Sequence, residues 1–72
     1  MTFHTFIEFE NGASWDVRAE ISSSEPIPGY DVHIDWIKCN RSIIYSTEIA
    51  DFVDLDWLIE QVKEKYMDSL NG

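Results

Sequence analysis

The sequence is short of cysteine, glycine and long apolar runs, and each shortage disfavours a class of protein. Its single cysteine, Cys39, cannot form an internal disulfide, which is typical of a reducing compartment and predicts a cytoplasmic protein. Its three glycines leave no glycine-rich loop for binding phosphate. No apolar run approaches the roughly 20 residues of a membrane span. Residues 1–4 lack the basic and apolar regions of a signal peptide.

Basic residues are also scarce, since five lysines and arginines stand against fourteen aspartates and glutamates, for a formal net charge of −9. Nucleic acids and anionic membranes are bound by clustered lysine and arginine, so we expect neither as a direct partner. The charge fits a basic protein partner, cations, or solubility alone. A hydrophobic content of 44% predicts a folded core, and 72 residues predict one domain, residues 1–72.

Residues 3–21 alternate apolar and polar side chains, which is typical of half-buried antiparallel strands. Asn11-Gly12 suggests a two-residue hairpin loop, but that register sets every apolar residue opposite a polar one. A three-residue loop, residues 10–12, with Gly12 in the left-handed conformation, restores the phase. The predicted pairs are Phe3–Ala19, Thr5–Val17, Ile7–Trp15 and Phe9–Ala13.

Two further strands are predicted after a loop at residues 22–29. Residues 30–39 alternate again, which places Ile34 and Trp36 on the apolar face and Ile37 and Cys39 on the opposite face. A tight turn at residues 40–41 then leads into a fourth strand, residues 42–47. The predicted pairs of this second hairpin are Trp36–Tyr45, Ile34–Thr47 and Ile37–Ile44.

The last third of the chain changes to helical spacing. Apolar residues from Leu55 to Leu70 follow steps of three and four and predict an amphipathic helix of about four turns. Asp54 is a suitable N-cap, and Asp56 suits the positive end of the helix dipole. Residues 48–53 fit a helical extension, a separate turn or a loop. The predicted fold class is α+β: a four-stranded antiparallel β-meander with one C-terminal α-helix packed on one face (ββββα).

No set of residues predicts catalysis, a metal site or a cofactor. Asp31, His33 and Asp35 lie about 6.6 Å apart along one strand face and could ligate a divalent metal or supply a base with its orienting acid. No serine, threonine or cysteine has the local context of a nucleophile. A single sheet with one helix rarely encloses a pocket of several hundred Å³. The solvent side of a half-buried strand, where polar residues are expected in any case, is the favoured explanation of these three residues.

Two acidic surfaces are the predicted partner-binding sites. Carboxylates spaced along strands and a helix can imitate a row of phosphates and be steered to a basic groove. The alternative is a solvated face whose first-turn acids serve the helix dipole. An exposed patch formed by Phe6, Ile37 and Ile44 would add an apolar centre, or serve self-association as a homodimer. The candidate residues are Phe6, Glu8, Asp16, Asp31, His33 and Asp35 on the sheet, and Asp51, Asp54, Asp56 and Glu60 at the helix start.

In size, acidity and predicted ββββα layout, the chain is similar to small virus- or prophage-encoded inhibitors, anti-CRISPR proteins among them. This similarity implies an inhibitor that docks on a host protein, and it implies no role for any single residue. The sequence therefore predicts a small, acidic, non-catalytic protein-binding module that blocks a basic surface of a host nucleic-acid-binding protein. The alternatives are a small metal- or ligand-binding domain centred on His4 and His33, and an acidic accessory subunit of a larger complex.

Overall fold

The computed structural model describes residues 1–23 and 30–71 and shows one antiparallel sheet followed by helix. The strands lie in the order β1-β2-β3-β4, which confirms the predicted ββββα layout. Residues 48–53, whose structure the sequence left open, belong mostly to a separate short helix. The elements are β1 (Thr2–Glu8), β2 (Ser14–Ser23), β3 (Tyr30–Cys39), β4 (Ser42–Tyr45), α1 (Ser46–Phe52) and α2 (Leu55–Asn71). β2 thus includes residues 22 and 23, which we predicted as the start of a loop. Residues 24–29 of that loop lie outside the described residues.

The first hairpin has the predicted register, with Ile7 opposite Trp15 and Thr5 opposite Val17. The Phe9 amide donates to the Ala13 carbonyl at 2.9 Å, and the Gly12 amide donates to the Phe9 carbonyl at 2.9 Å. Gly12 has a φ of 85°, a conformation that residues with a Cβ rarely adopt. The three-residue loop therefore keeps the apolar side chains of β1 and β2 on one face.

The alternation along β3 breaks at Asp35, and this corrects the predicted faces of the strand. Arg18 lies opposite Trp36 while the next residue, Ala19, lies opposite Ile34, so β3 contains one extra residue at a bulge. After the bulge Ile37 points into the core with no exposed surface, although we predicted it on the opposite face. Trp36 instead lies on the outer face, against the edge of the His4 ring at 5.2 Å.

The second hairpin is confirmed in part. Trp36 pairs with Tyr45 and Ile37 pairs with Ile44, as predicted. β4 ends at Tyr45, however, and Thr47 lies in α1, so the predicted pair between Ile34 and Thr47 is wrong. The chain turns into α1 because Ile49 is fully buried in the core, and α1 packs against β3 and β4.

Both helices cover the same face of the sheet and complete one core. Asp54 caps α2 as predicted, since its Oδ1 accepts hydrogen bonds from the Asp56 amide at 3.1 Å and the Trp57 amide at 3.4 Å. The apolar stripe of α2 ends earlier than predicted, because Leu70 is exposed. The buried residues are Ile7, Phe9, Trp15, Val17, Ala19, Ile21, Ile34, Ile37, Ile49, Leu58 and Val62. Within the described residues, no helix has both the length and the apolarity needed to cross a membrane.

Candidate functional site

Asp16 and Asp35, on the outer face of the sheet, lie beside basic side chains of the same face. Asp16 Oδ1 lies 3.4 Å from His4 Nε2. Asp35 lies between Arg18, 3.7 Å from its Nε, and His33, 3.8 Å from its Nε2. Local partners therefore offset part of the negative charge that the sequence places on this face.

Glu20, on the same face, is held by neighbours at the edge of the sheet. The Thr2 hydroxyl donates a 2.6 Å hydrogen bond to its Oε1. This bond to the charged form is the main reason that the pKa of the Glu20 carboxyl lies below its ordinary value, with Arg18 a weaker contributor. Glu20 is thus a carboxylate already engaged by the protein itself.

The acids near the start of α2 have a different electrostatic setting. Asp51, Asp54, Asp56 and Glu60 are all exposed. The ion pairs found in residues 1–23 and 30–71 involve none of these four carboxylates. The sequence also has no lysine or arginine from residue 42 to residue 62. Among the described residues, the ion pairs of the two predicted acidic surfaces thus lie on the outer face of the sheet and not near the start of α2.

Four aromatic side chains pack together beside these acids, and we call them the aromatic cluster: Phe9, Trp15, Phe52 and Trp57. Phe9 stacks on Trp15 with ring centroids 5.5 Å apart and meets Trp57 edge-on at 5.4 Å. Phe52 contacts Trp15 with centroids 5.1 Å apart. α1 ends at Phe52, and Val53 takes an extended conformation before α2 begins at Leu55, so Phe52 and Trp57 lie on the two sides of the joint between the helices.

The joint between the helices and the first hairpin turn enclose an open cleft of about 490 Å³. Three aromatic residues and Val53 supply the apolar part of its lining, and Glu10 and Asp54 are its acidic members. Its volume is within the range of about 300–1,000 Å³ typical of ligand sites, which is large for a domain of this size, and the cleft is open to solvent on one side. We call it the helix-entrance cleft; its lining is Phe9, Glu10, Asn11, Phe52, Val53, Asp54 and Trp57.

Trp15 lies behind this cleft with an unsatisfied donor. Its side chain is 6% exposed, and its Nε1 has no hydrogen-bond partner in the described part of the chain. A buried donor without a partner costs about 1–3 kcal/mol. Trp15 contacts both Phe9 and Phe52, so this buried donor belongs to the same aromatic cluster that lines the cleft.

Only some of the predicted site residues meet at this cleft. Asp54 lines it, while Asp51, Asp56 and Glu60 lie close by in the chain. The sheet candidates share the outer face, away from the helices, and Phe6 there is 67% exposed. The predicted patch of Phe6 with Ile37 and Ile44 does not exist, because Ile37 is in the core and Ile44 is half-buried. The predicted site residues that lie on the outer face are Phe6, Glu8, Asp16, Asp31, His33 and Asp35.

Of the residues that line the cleft, the sequence predicted only Asp54 as a site residue. It missed Phe52, Val53 and Trp57 around the helix joint, and it missed Phe9, Glu10 and Asn11 at the first hairpin. It assigned Phe9 to the core and the other two to the hairpin loop, which are both correct assignments. Asn11 Oδ1 also accepts a hydrogen bond from the Ala13 amide at 3.0 Å, so it supports the turn. Their place beside α2 follows from tertiary packing and leaves no local signal in the sequence.

The cleft offers charge and apolar surface rather than reactive groups. Its described lining contains carboxylates, an amide, an indole and hydrocarbon, with no hydroxyl, thiol or imidazole. Elsewhere in the described residues, no three histidine, cysteine or acidic side chains gather as a metal site. His4 and His33 lie by different aspartates, Asp16 and Asp35. The cleft is suited to holding a cation beside an apolar or planar group.

Comparison with known proteins found no matching family model, no matching curated protein and no matching solved structure.

Proposed function

We propose that this chain is a small, non-catalytic protein-binding module that docks on a basic segment of a partner through the helix-entrance cleft. The observation that carries the proposal is the apolar cleft edged by Glu10 and Asp54, in a region whose acids have no ion pair among the described residues. An acidic surface alone is equally consistent with solubility. The adjoining exposed aromatic surface, including a Phe52 that is 50% exposed, favours a binding role.

An arginine side chain of the partner fits this chemistry best. Its alkyl stem can lie along Val53 and Phe52, and its planar guanidinium can stack on an aromatic ring such as that of Trp57. Its five donors can also reach a carboxylate at the cleft edge, Glu10 or Asp54. Lysine supplies the charge without the planar, stackable group, so we expect arginine to bind more tightly.

The surrounding acids add long-range attraction to this contact. Asp51, Asp56 and Glu60 extend the negative surface, and the molecule carries a net charge of −9. Such a field speeds the encounter with a basic surface. Arginine and lysine concentrate where proteins bind nucleic acid, so the proposal extends to a module that blocks such a surface, as an inhibitor of a nucleic-acid-binding protein would.

The test uses a defined peptide, Ac-Gly-Arg-Leu-Arg-Gly-NH₂, and its analogue with both arginines replaced by citrulline, which keeps the shape and removes the charge. Isothermal titration calorimetry at low salt measures both affinities. We expect the arginine peptide to bind and the citrulline peptide to bind at least about tenfold more weakly. Combining Glu10→Gln with Asp54→Asn should weaken the arginine peptide about three- to tenfold, the effect of two exposed ion pairs.

Matched variants on α2 separate the cleft from bulk charge. Glu64→Gln with Asp68→Asn removes the same charge two to three turns away, and Met67→Ala removes an exposed apolar side chain comparable in exposure to Phe52. These variants should leave the affinity within about twofold, whereas Phe52→Ala should lower it. Equal losses from the cleft and α2 variants, or equal binding of the citrulline peptide, would refute the proposal.

A further inference from the structure

The outer face of the sheet carries two cross-strand rows of side chains that no part of the proposed function uses. In each row, the strand registers place one residue from each of the four strands side by side. We call the two rows together the outer-face patch. From β1 to β4, the first row is Phe6, Asp16, Lys38 and Ile43. In the same order, the second row is His4, Arg18, Trp36 and Tyr45.

The patch exposes more apolar surface than a sheet face in water requires. Phe6 is 67% exposed, Tyr45 is 59% exposed and Ile43 is 43% exposed. Trp36 is half-buried beside them. Apolar side chains grouped in this way on the surface of a soluble domain mark an interaction surface.

The charges of the patch say which partner suits it. Within a molecule of net charge −9, Arg18 and Lys38 here face the two acids Asp16 and Asp35, so this region is locally balanced. A second copy, itself strongly acidic, meets less repulsion on this face than over the acids near the start of α2. A balanced face with both signs can also complement itself, as a symmetric dimer interface must.

We propose that two copies of this chain pack outer face to outer face about a two-fold axis that runs parallel to the strands, between β2 and β3. Rotation about this axis leaves the position along the strands unchanged and reverses the strand order. β1 of one copy then lies over β4 of the other, and β2 over β3. This is the aligned arrangement of two packed sheets, which tolerates the strand twist.

This axis pairs each row with its own reverse, and the rows are complementary in that direction. In the first row, Phe6 meets the partner's Ile43 and Asp16 meets the partner's Lys38. Apolar surface thus meets apolar surface, and acid meets base, on both sides of the axis.

The second row obeys the same rule. Arg18 meets the partner's Trp36, a pairing that suits a guanidinium over an indole ring. His4 meets the partner's Tyr45, which places two flat rings together. Both rows therefore support the same axis and the same occupant.

The size of the patch sets the strength of the dimer. Four strands and two rows cover roughly 20 by 14 Å, about a third of the 800 Å² that each partner buries in a standard specific interface. We therefore expect a weak dimer, with a dissociation constant on the order of 100 µM.

Sedimentation equilibrium from about 10 µM to about 1 mM tests the association. The weight-average mass should rise with concentration from 8.4 kDa toward twice that value. Lys38→Glu and Asp16→Lys should each weaken the dimer at least about fivefold, because each sets two like charges against each other on both sides of the axis. Phe6→Ser should weaken it without any change of charge.

Mixing the two charge variants tests the axis itself. When ¹⁵N-labelled Asp16→Lys meets unlabelled Lys38→Glu, both cross-contacts join opposite charges, so a heterodimer should form more readily than either variant alone forms a dimer. Lys65→Glu is the matched control, because it changes the net charge equally and lies on α2. It should broaden and shift the labelled signals much less at the same concentration.

Circular dichroism melts show whether the charge variants fold, and Phe6→Ser keeps the test valid if either does not. A mass that stays at 8.4 kDa up to about 1 mM would overturn the proposal. So would a Lys38→Glu partner that binds labelled Asp16→Lys no better than Lys65→Glu does.

Discussion

Asp54 serves the fold and the candidate site with one carboxylate. Its Oδ1 accepts hydrogen bonds from two amides in the first turn of α2, and the side chain also lines the helix-entrance cleft. Capping depends on an oxygen acceptor, whereas attraction of a cation depends on the negative charge. Different substitutions at this one position can therefore separate the two roles.

Asp54→Ala should lower the free energy of unfolding by about 1 kcal/mol, because α2 loses its side-chain cap. Asp54→Asn should retain most of the stability, because an amide oxygen also caps a helix. Chemical denaturation followed by circular dichroism measures both, and the arginine peptide should bind more weakly to both. A stability loss from Asn as large as that from Ala would contradict the assigned cap.

Glu20 gives the residue scale a prediction on pH. Its pKa is lowered in the folded state by the Thr2 hydrogen bond, so this contact adds stability above the pKa of the unfolded chain. That contribution is lost as the pH falls through the lower, folded pKa. Thr2→Val should therefore raise the pKa of Glu20 toward its ordinary value, measured by NMR titration of its carboxyl. Thr47→Val, on exposed α1, is the control; an unchanged Glu20 pKa in Thr2→Val would contradict the account.

At the scale of elements, local pattern predicts the first hairpin and α2 because each obeys one period throughout. Only one loop length kept Ile7 opposite Trp15, and the structure has that register. The prediction of which residues of β3 face the core fails, because the bulge at Asp35 changes the phase within the strand. The spacing of Ile34 and Ile37 was the available signal, since strict alternation cannot bury two residues that are three positions apart.

The corrected faces of β3 can be tested by two neighbouring substitutions. Ile37→Ser removes a fully buried aliphatic side chain and places a hydroxyl in the core, so it should cost about 3 kcal/mol or more. Trp36→Ser, on the outer face, should cost about 1 kcal/mol or less at concentrations where the protein is monomeric. Chemical denaturation of both variants decides between the faces. A larger loss of stability from Trp36→Ser than from Ile37→Ser would contradict the faces seen in the structure and support the predicted alternation.

The candidate site was predictable to the extent that it lies in one segment. Helical spacing and the capping rule identified Asp54 and Asp56. Glu10 and Phe9 belong to the first hairpin, far from α2 in the sequence. Only the packing of the hairpin turn against α2 brings them to the cleft. No local pattern encodes that approach.

For the whole molecule, the distribution of charge gives one strongly acidic region, near the start of α2, and one region of balanced charge, the outer-face patch. The acids near the start of α2 attract a basic partner, and salt weakens that attraction by screening it. The outer-face patch is locally balanced, and salt there screens the long-range repulsion between two copies of charge −9. The two surfaces lie on different faces of the sheet, so a dimer would leave both clefts open to partners.

The binding role of the helix-entrance cleft is the central claim, and the indole N–H signal of Trp57 in a ¹H–¹⁵N correlation spectrum tests it most directly. Trp57 lines the cleft and Trp36 lies on the outer face, so the two indoles report separately on the two surfaces. Titration with the arginine peptide should shift the Trp57 signal and the Phe52 and Asp54 amides, leave the Trp36 indole unchanged, and have no counterpart with the citrulline peptide. A stationary Trp57 signal, or a shift centred on Trp36, would contradict the account.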